Sequence, residues 1–142
     1  LTTVAGEVYA TRNSSTIYWS SINCSNITFI EIENEELSFN SSDDNITSTF
    51  NDDDHNPFVT AGVPIQANSC PTLNTYVNNV TQDSTFEEVV LYDGYSTIFA
   101  TILESEAQGY DGSNYDFQMI VPENASETWN GATAYYLYLE LS

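Results

Sequence analysis

Residues 132–141 read Ala-Thr-Ala-Tyr-Tyr-Leu-Tyr-Leu-Glu-Leu and carry the clearest two-residue alternation in the chain. One face of a strand built from them would present Thr133, Tyr135, Leu137, Leu139 and Leu141, and the other Ala134, Tyr136, Tyr138 and Glu140. A period of two is typical of a β-strand, because successive side chains point to opposite faces of a sheet. The sequence therefore predicts a long C-terminal strand.

Shorter segments rich in β-formers recur along the chain, separated by clusters of Asn, Asp, Ser and Gly. Besides 132–141, we predict strands over residues 16–22, 27–33, 35–39, 45–50, 58–67, 76–81, 85–92, 96–103 and 115–121. Asp93-Gly94 is typical of a hairpin turn. Many short strands without a sustained helical period predict an all-β fold, a single β-sandwich of immunoglobulin-like or jelly-roll type.

The charge of the chain is extreme, since 21 acidic residues face one basic residue, Arg12, for a formal net charge of −20. Nucleic acid and anionic membranes are therefore poor partners, and no apolar run is long enough for membrane insertion as a helix. Molar salt would screen this charge, and strong acid would remove it. We favour acid, because the polar residues are mostly uncharged Asn, Ser and Thr.

Three features indicate an exported glycoprotein. The chain begins at Leu1 and not at Met, which suggests a removed signal peptide and an extracellular location. Cys24 and Cys70 are expected to form a disulfide that contributes about 4 kcal/mol, with two buried thiols as the alternative. Seven Asn-X-Ser/Thr sequons predict N-linked glycans at Asn13, Asn23, Asn26, Asn40, Asn45, Asn79 and Asn124.

The opening residues 1–10 read Leu-Thr-Thr-Val-Ala-Gly-Glu-Val-Tyr-Ala. One face of this segment is small and apolar, with Val4, Gly6, Val8 and Ala10, and Gly6 would permit close backbone approach. Such a strand can pair within its own domain. Alternatively, it can be donated to the open sheet of a neighbouring copy. In that case residues 1–12 form a donor strand and residues 13–142 form a globular head.

A strand-like N-terminal tail, an Asn/Ser/Thr/Tyr-rich β-domain, dense sequons and almost no basic residues together resemble the subunits of archaeal thread filaments. These are thin surface pili of thermoacidophilic archaea. The resemblance covers the whole chain in character and includes no compact motif. It implies a structural subunit that polymerises head to tail with copies of itself by donor-strand complementation, carries N-linked glycans, and serves adhesion or biofilm contact on the cell surface. The donor-strand bundling pili of other archaea match the chain no better.

A covalent link between copies would have to use Leu1. The chain has no lysine, so the α-amine of Leu1 is its only amine. If an amide joins two copies, Leu1 supplies the nitrogen, and an Asn or Asp of the neighbour supplies the carbonyl.

The residues give little support to catalysis, and we predict no enzyme activity, no cofactor and no metal site. His55 is the only histidine, and its acidic loop predicts a solvated side chain and not part of a Ser-His-Asp site. The acidic stretches 52–54 and 111–116 lack the EF-hand spacing. Two alternatives remain: a monomeric secreted binding module or adhesin domain, with aromatic side chains as a sugar platform, and an acid-active hydrolase with a distant carboxylate pair.

Overall fold

A computed structural model of the chain describes residues 3–38, 45–74, 77–80, 85–120 and 133–142, in which antiparallel strands predominate. The strands are β1 (Gly6–Thr11), β2 (Asn23–Cys24), β3 (Phe58–Thr60), β4 (Val63–Ile65), β5 (Thr72–Asn74), β6 (Glu87–Tyr92), β7 (Thr97–Ile102), β8 (Ala107–Gln108), β9 (Asn114–Tyr115) and β10 (Tyr136–Leu141). The helices are α1 (Ile27–Glu36), α2 (Ile46–Thr49) and a 3-10 turn (Trp19–Ser21).

One six-stranded antiparallel sheet organises these elements, in the order β10-β1-β7-β6-β2, with β5 also paired to β6. The first strand of the chain therefore lies inside the sheet, and Val8 of β1 is opposite Leu139 on one side and Thr101 on the other. The strands β6 and β7 form a hairpin whose turn is closed by Asp93, which accepts the backbone N–H groups of Tyr95 and Ser96 at 2.9 and 2.7 Å.

The two faces of the sheet are covered by different elements. On the helix face, Ala10, Val90 and Phe99 pack with residues of α1 and α2 and their flanks, which are Ile30, Leu37, Ile46 and Phe50. On the hairpin face, Tyr9, Val89, Leu91, Ile98 and Ala100 pack with Ile17, Ile22, Cys70 and the β3–β4 hairpin residues Phe58 and Ile65. Because adjacent strand residues alternate between these faces, the sheet is buried on both sides along its centre.

The strands predicted over residues 27–33 and 45–50 are wrong, because these residues form α1 and α2. An asparagine caps each helix: Oδ1 of Asn26 accepts the N–H of Phe29 at 3.1 Å, and Oδ1 of Asn45 accepts that of Ser48 at 2.8 Å. Such caps satisfy N–H groups that have no partner inside the helix. Asn26 and Asn45 are also sequon residues. The strand prediction rested on the two-residue alternation of 27–33 and on the absence of a sustained helical period.

Other segments differ from the prediction in extent. Residues 16–22 contain the 3-10 turn, residues 35–38 end α1, residues 77–80 form a turn, and the strand predicted over 115–121 begins at 114 and ends at 115. Residues 58–67 divide into β3 and β4. The predicted strands at 85–92, 96–103 and 132–141 are confirmed in their described parts as β6, β7 and β10. Residues 39, 76, 81, 121 and 132 lie outside the described residues.

The antiparallel β character of the fold is thus confirmed. Within the described residues the structure does not show the two packed sheets of a sandwich, since the layers over the main sheet are two helices and one hairpin. Nor does it show a donated strand, because β1 pairs with strands of its own chain.

The predicted disulfide is confirmed. Cys24 and Cys70 are bonded, with their Cα atoms 4.9 Å apart. Cys24 ends β2 and Cys70 precedes β5, and both of these short strands lie along the outer edge of β6. The bond therefore joins two strands that are too short to hold that edge independently.

Gly6 is required by the close approach of β1 to β10. Its φ is +136°, and an added Cβ would overlap the carbonyl oxygen of Glu140. Gly6→Ala should therefore lower the free energy of unfolding by roughly 3 kcal/mol or more, because backbone strain and overlap add. Gly94→Ala is the matched control: its φ is +99° but its side is open, so strain alone should cost about 1–2 kcal/mol in urea titrations. Equal losses for both variants would contradict the close approach.

Candidate functional site

The candidate site is β1 together with the groove that it fills. All six residues of β1 are buried. Val8 and Ala10 are buried toward the helix face, and the close approach predicted for Gly6 is confirmed. Val4 lies before the strand, half-buried, with its N–H 3.3 Å from Oγ of Ser105. The possible link residue Leu1 lies outside the described residues.

The second face of β1 is buried as well, which the sequence did not indicate. Glu7 and Thr11 are enclosed, and Tyr9, the largest side chain of the strand, is 2 % exposed and packs edge-on against Trp19, with ring centroids 5.0 Å apart. The strand therefore supplies core residues to both faces of the sheet, and not only the small apolar row on which the prediction rested.

The groove lies between β7 and β10. In the described part of the chain, β10 pairs with β1 alone, so β1 is its only connection to the sheet. Further hydrogen bonds lie at the N-terminal end of β1. The N–H of Leu103 donates to the Gly6 carbonyl at 2.9 Å, and the N–H of Ser142 donates to the Ala5 carbonyl at 3.0 Å. Any strand that replaced β1 would therefore have to form hydrogen bonds with both β7 and β10.

A pair of carboxyl groups closes the groove on the hairpin face. Glu7 of β1 is directly opposite Glu140 of β10. The hydroxyl of Tyr9 lies 2.9 Å from Oε1 of Glu140 and 3.3 Å from Oε1 of Glu7, and the N–H of Ala61 donates to both oxygens of Glu140 at 3.0 and 3.1 Å. Burial, the hydrogen bond with Glu140 and its charge raise the pKa of Glu7 to about 7.

Three further carboxyl groups are enclosed near β6. Burial raises the pKa of Glu87 to about 7, although the backbone and side-chain amide N–H groups of Asn56 donate to it at 3.3 and 2.9 Å. Burial raises the pKa of Glu88 to about 8, against one hydrogen bond from the N–H of Ile120 at 2.9 Å. Burial also raises the pKa of Glu104. These carboxyls are neutral in acid and carry their burial cost only when ionised.

The connection that leaves β1 is anchored by an ion pair. Arg12 binds Glu33 of α1 through both forks, with Nε–Oε2 at 2.8 Å and Nη2–Oε1 at 2.6 Å. It is the one ion pair within the described ranges. Beside it lies a cleft of about 420 Å³, walled by the stacked rings of Phe29 and Tyr92 and by the exposed Tyr95.

The prediction of a solvated His55 is wrong. The side chain is 3 % exposed; its Nδ1 lies 2.8 Å from the Asn56 carbonyl, and its Nε2 accepts the backbone N–H groups of Ser69 and Cys70 at 3.1 Å each. Because Nε2 accepts two donors, Nδ1 carries the proton. Nε2 thus holds the segment that carries the disulfide, whereas Nδ1 donates to the Asn56 carbonyl.

The five sequon asparagines in the described residues differ in how they are held. The hydrogen bonds of Asn23 and Asn26 use Oδ1, and both side chains are exposed, as is Asn79. Asn45 is a half-buried helix cap. Asn13 is different, because its Nδ2 donates to the Thr16 carbonyl at 2.8 Å and to Oγ of Ser96 at 3.1 Å. Asn40 and Asn124 lie outside the described residues.

In the parts of the chain that the structure describes, no group of three or more His, Cys, Asp or Glu side chains could hold a metal ion. Neither α1 nor α2, nor any other described helix, has the length and apolar character of a membrane-crossing segment. Comparisons of the chain with protein-family models, with curated proteins and with solved structures returned no match.

The buried carboxyls predict that stability falls as pH rises. The pKa values of Glu7, Glu87 and Glu88 are raised from 4.5 to about 7, 7 and 8. Their contribution is therefore complete below the unfolded pKa and is lost as the pH passes through the folded values. Urea unfolding at pH 4, 6 and 8 should show a steady decrease in the free energy of unfolding.

Substitution of a single buried carboxyl measures its own contribution to this pH dependence of stability. At pH 7, Glu88→Gln should restore roughly 3 kcal/mol of the free energy of unfolding, because burial of the neutral amide requires no desolvation of a charge. Glu31→Gln, on the exposed surface of α1, is the control and should leave the pH dependence unchanged. Stability that increases between pH 4 and pH 8 would contradict the burial of neutral carboxyls.

The hydrogen bonds of Asn13 predict unequal glycan occupancy. An N-linked sugar replaces one of the two Nδ2 protons, so a glycan on Asn13 would break the bond to Thr16 or to Ser96. Glycopeptide mass spectrometry of native protein should find Asn13 unmodified, and Asn23, Asn26 and Asn79 modified. A fully occupied Asn13 would show that its two bonds are dispensable.

Proposed function

We propose that the protein is a structural subunit of an extracellular filament, in which each copy inserts its N-terminal strand into the groove of the next. The observation that carries this proposal is the position of β1: the first strand lies between β7 and β10 and is buried on both faces of the sheet. Donation of such a strand satisfies the neighbour's hydrogen bonds and core together.

The exchange requires no new contacts, which is the principle of domain swapping. Strand β1 is joined to the elements that follow it through the connection after Thr11. A second copy's β1 would meet the same partners in the same register, so the closed single chain and the linked chains differ mainly in that connection. If the groove were empty, the core side chains that contact Val8 and Tyr9 would be exposed to water. Burial of a side chain of this size contributes about 1.5–3 kcal/mol, so an empty groove is disfavoured.

The surface next to the groove supports contact between copies. Leu137, Leu139 and Leu141, which share one face of β10, are each more than 60 % exposed. They form an apolar row on a chain of net charge −20, and apolar rows of this kind mark interaction sites. Copies in acid, where most carboxylates are protonated, would approach one another without strong repulsion.

The resemblance to archaeal thread filaments supplies the finer features of the proposal. Copies of the chain are linked head to tail on the cell surface, N-linked glycans keep the filament hydrated, and the filament serves adhesion or biofilm contact. The α-amine of Leu1 is the group available for an amide bond to the neighbour, because the chain has no lysine. In this proposal the protein has a structural role and performs no catalysis.

A monomeric binding module is the second candidate, and one observation favours it: β1 occupies the groove of its own chain. The cleft beside Arg12, with the exposed ring of Tyr95, would then be the binding surface. A hydrolase is less well supported, because the carboxyls with raised pKa values, such as Glu87 and Glu88, are enclosed by the sheet layers and do not line that cleft.

Cross-linking between copies tests strand exchange. Ala10 and Leu137 are opposite each other, and the bond from Ser142 to Ala5 makes theirs a non-hydrogen-bonded pair, whose side chains are close. When Ala10→Cys protein and Leu137→Cys protein are mixed under assembly conditions and oxidised, strand donation should produce disulfide-linked pairs of chains. Non-reducing electrophoresis with peptide mapping would identify the disulfide between position 10 of one chain and position 137 of the other.

The matched control is Leu141→Cys. Leu141 is as exposed as Leu137, at 66 % against 63 %, but it lies opposite Gly6 and four residues from the partner of Ala10. It should cross-link poorly to Ala10→Cys protein. Absence of linked chains for both combinations, with monomers in electron micrographs, would leave the binding module as the better candidate.

A further inference from the structure

We propose that Glu7, opposite Glu140, forms with it an acid-dependent latch, which holds β1 in the groove while Glu7 is protonated and releases β1 when Glu7 is ionised. This inference rests on the proposed function, since the latch would set the conditions under which copies exchange strands. It names a role for two side chains that the filament proposal by itself does not use.

The register places the two carboxyl groups at the junction that has to open. Glu7 belongs to the exchanging strand and Glu140 to the strand that holds it. The hydrogen bond from the Ser142 N–H to the Ala5 carbonyl makes these two residues a hydrogen-bonded pair. Because pair types alternate along an antiparallel ladder, residues 7 and 9 also form hydrogen-bonded pairs with β10, in which the Cα atoms are about 5.5 Å apart. Both side chains point to the hairpin face, where Glu7 is 7 % exposed.

In the described residues, the neighbours of the pair provide hydrogen-bond donors but no positive charge. Burial raises the pKa of Tyr9, so its hydroxyl stays protonated, but a single O–H donates to one carboxylate at a time. The β3–β4 hairpin contributes Thr60 and the N–H of Ala61, and β7 places Ile102 opposite Glu7. Of the titratable groups that face Glu7, the described ones are Tyr9 and Glu140.

The basic side chains in the described residues are committed elsewhere. Arg12 binds Glu33, and His55 binds backbone groups near the disulfide. A second negative charge at the pair would therefore have neither a salt bridge nor full hydration, and separation of β1 from β10 would relieve it. The raised pKa of Glu7, about 7, agrees with a Glu7 carboxyl that is protonated in acid and ionises near neutrality.

The other enclosed carboxyls lack this placement. Glu88 lies on β6 opposite Thr101 of β7, and Glu87 accepts from Asn56. Their ionisation would destabilise the fold, but it would not act across the boundary between β1 and β10. The latch is therefore a local device within a generally acid-stable sheet, and local opening can be separated from global unfolding by hydrogen exchange.

Hydrogen–deuterium exchange on the full chain, corrected for intrinsic rates, tests the latch. Between pH 4 and pH 8, amides of β1 and β10 should lose protection about tenfold more than those of β6 in the same molecules. Glu7→Gln should abolish this excess loss, because no second charge forms. Glu140→Gln, which retains an acceptor oxygen for Tyr9 and Ala61, should do the same and covers the case that Glu7→Gln folds poorly.

Glu88→Gln is the matched control: it removes an equally buried carboxyl and should leave the excess loss in β1 and β10 intact. Uniform loss of protection in all strands, or a wild-type response in both Glu7→Gln and Glu140→Gln, would overturn the latch. The cross-link between positions 10 and 137, measured after mixing the two cysteine variants at each pH, reports on the filament proposal separately. If β1 and β10 lose protection selectively but no linked chains form, the latch is supported and the filament proposal is not. If linked chains form equally at both pH values, the latch is overturned and the filament proposal stands.

Discussion

The sheet depends on one pairing, in which the first strand of the chain lies between β7 and the last strand. Strand β1 contributes Tyr9 and Val8 to opposite faces of the sheet, and it is the partner that attaches β10. Contacts this distant in sequence are costly to close, and their removal takes away two rows of hydrogen bonds at once. In the filament proposal, this strand is the element through which two copies are joined.

The second constraint is the protonation of the interior. Four carboxyl groups, Glu7, Glu87, Glu88 and Glu104, have raised pKa values because they are taken out of water without a positive partner. In acid each is a neutral hydrogen-bonding group, and the cost of burying it is modest. The composition and the core therefore agree: uncharged polar residues on the outside and neutral carboxyls on the inside both suit a medium near or below the pKa of a free carboxyl.

The sequence predicted the elements whose signals are local. The alternation in 85–92, 96–103 and 132–141 and the Asp93-Gly94 turn correspond to β6, β7, β10 and their hairpin. The helices were missed because neither segment shows a sustained helical period and residues 27–33 alternate like a strand, although Asn26 and Asn45 cap α1 and α2. The position of β1 between β7 and β10 and the burial of Glu7 could not be predicted, because the alternation in residues 1–10 predicts a strand but does not show which distant strands it pairs with. His55 was misread for the same reason, since its partners Ser69 and Cys70 are distant from its acidic loop.

The pairing of the chain ends and the buried acids meet at a single point, the contact of Glu7 with Glu140. Had the two carboxyls been placed elsewhere in the sheet, as Glu88 is, they would affect only stability. Because one sits on the strand that can leave and the other on the strand that it would leave, protonation of Glu7 in the proposed latch contributes to the cohesion of the groove itself. A chain-terminal strand with an apolar residue at this position would be held at every pH. In the proposed latch, a carboxyl there makes retention of the strand depend on acid, and this dependence would give the proposed polymer a means to remain closed in one medium and to open in another.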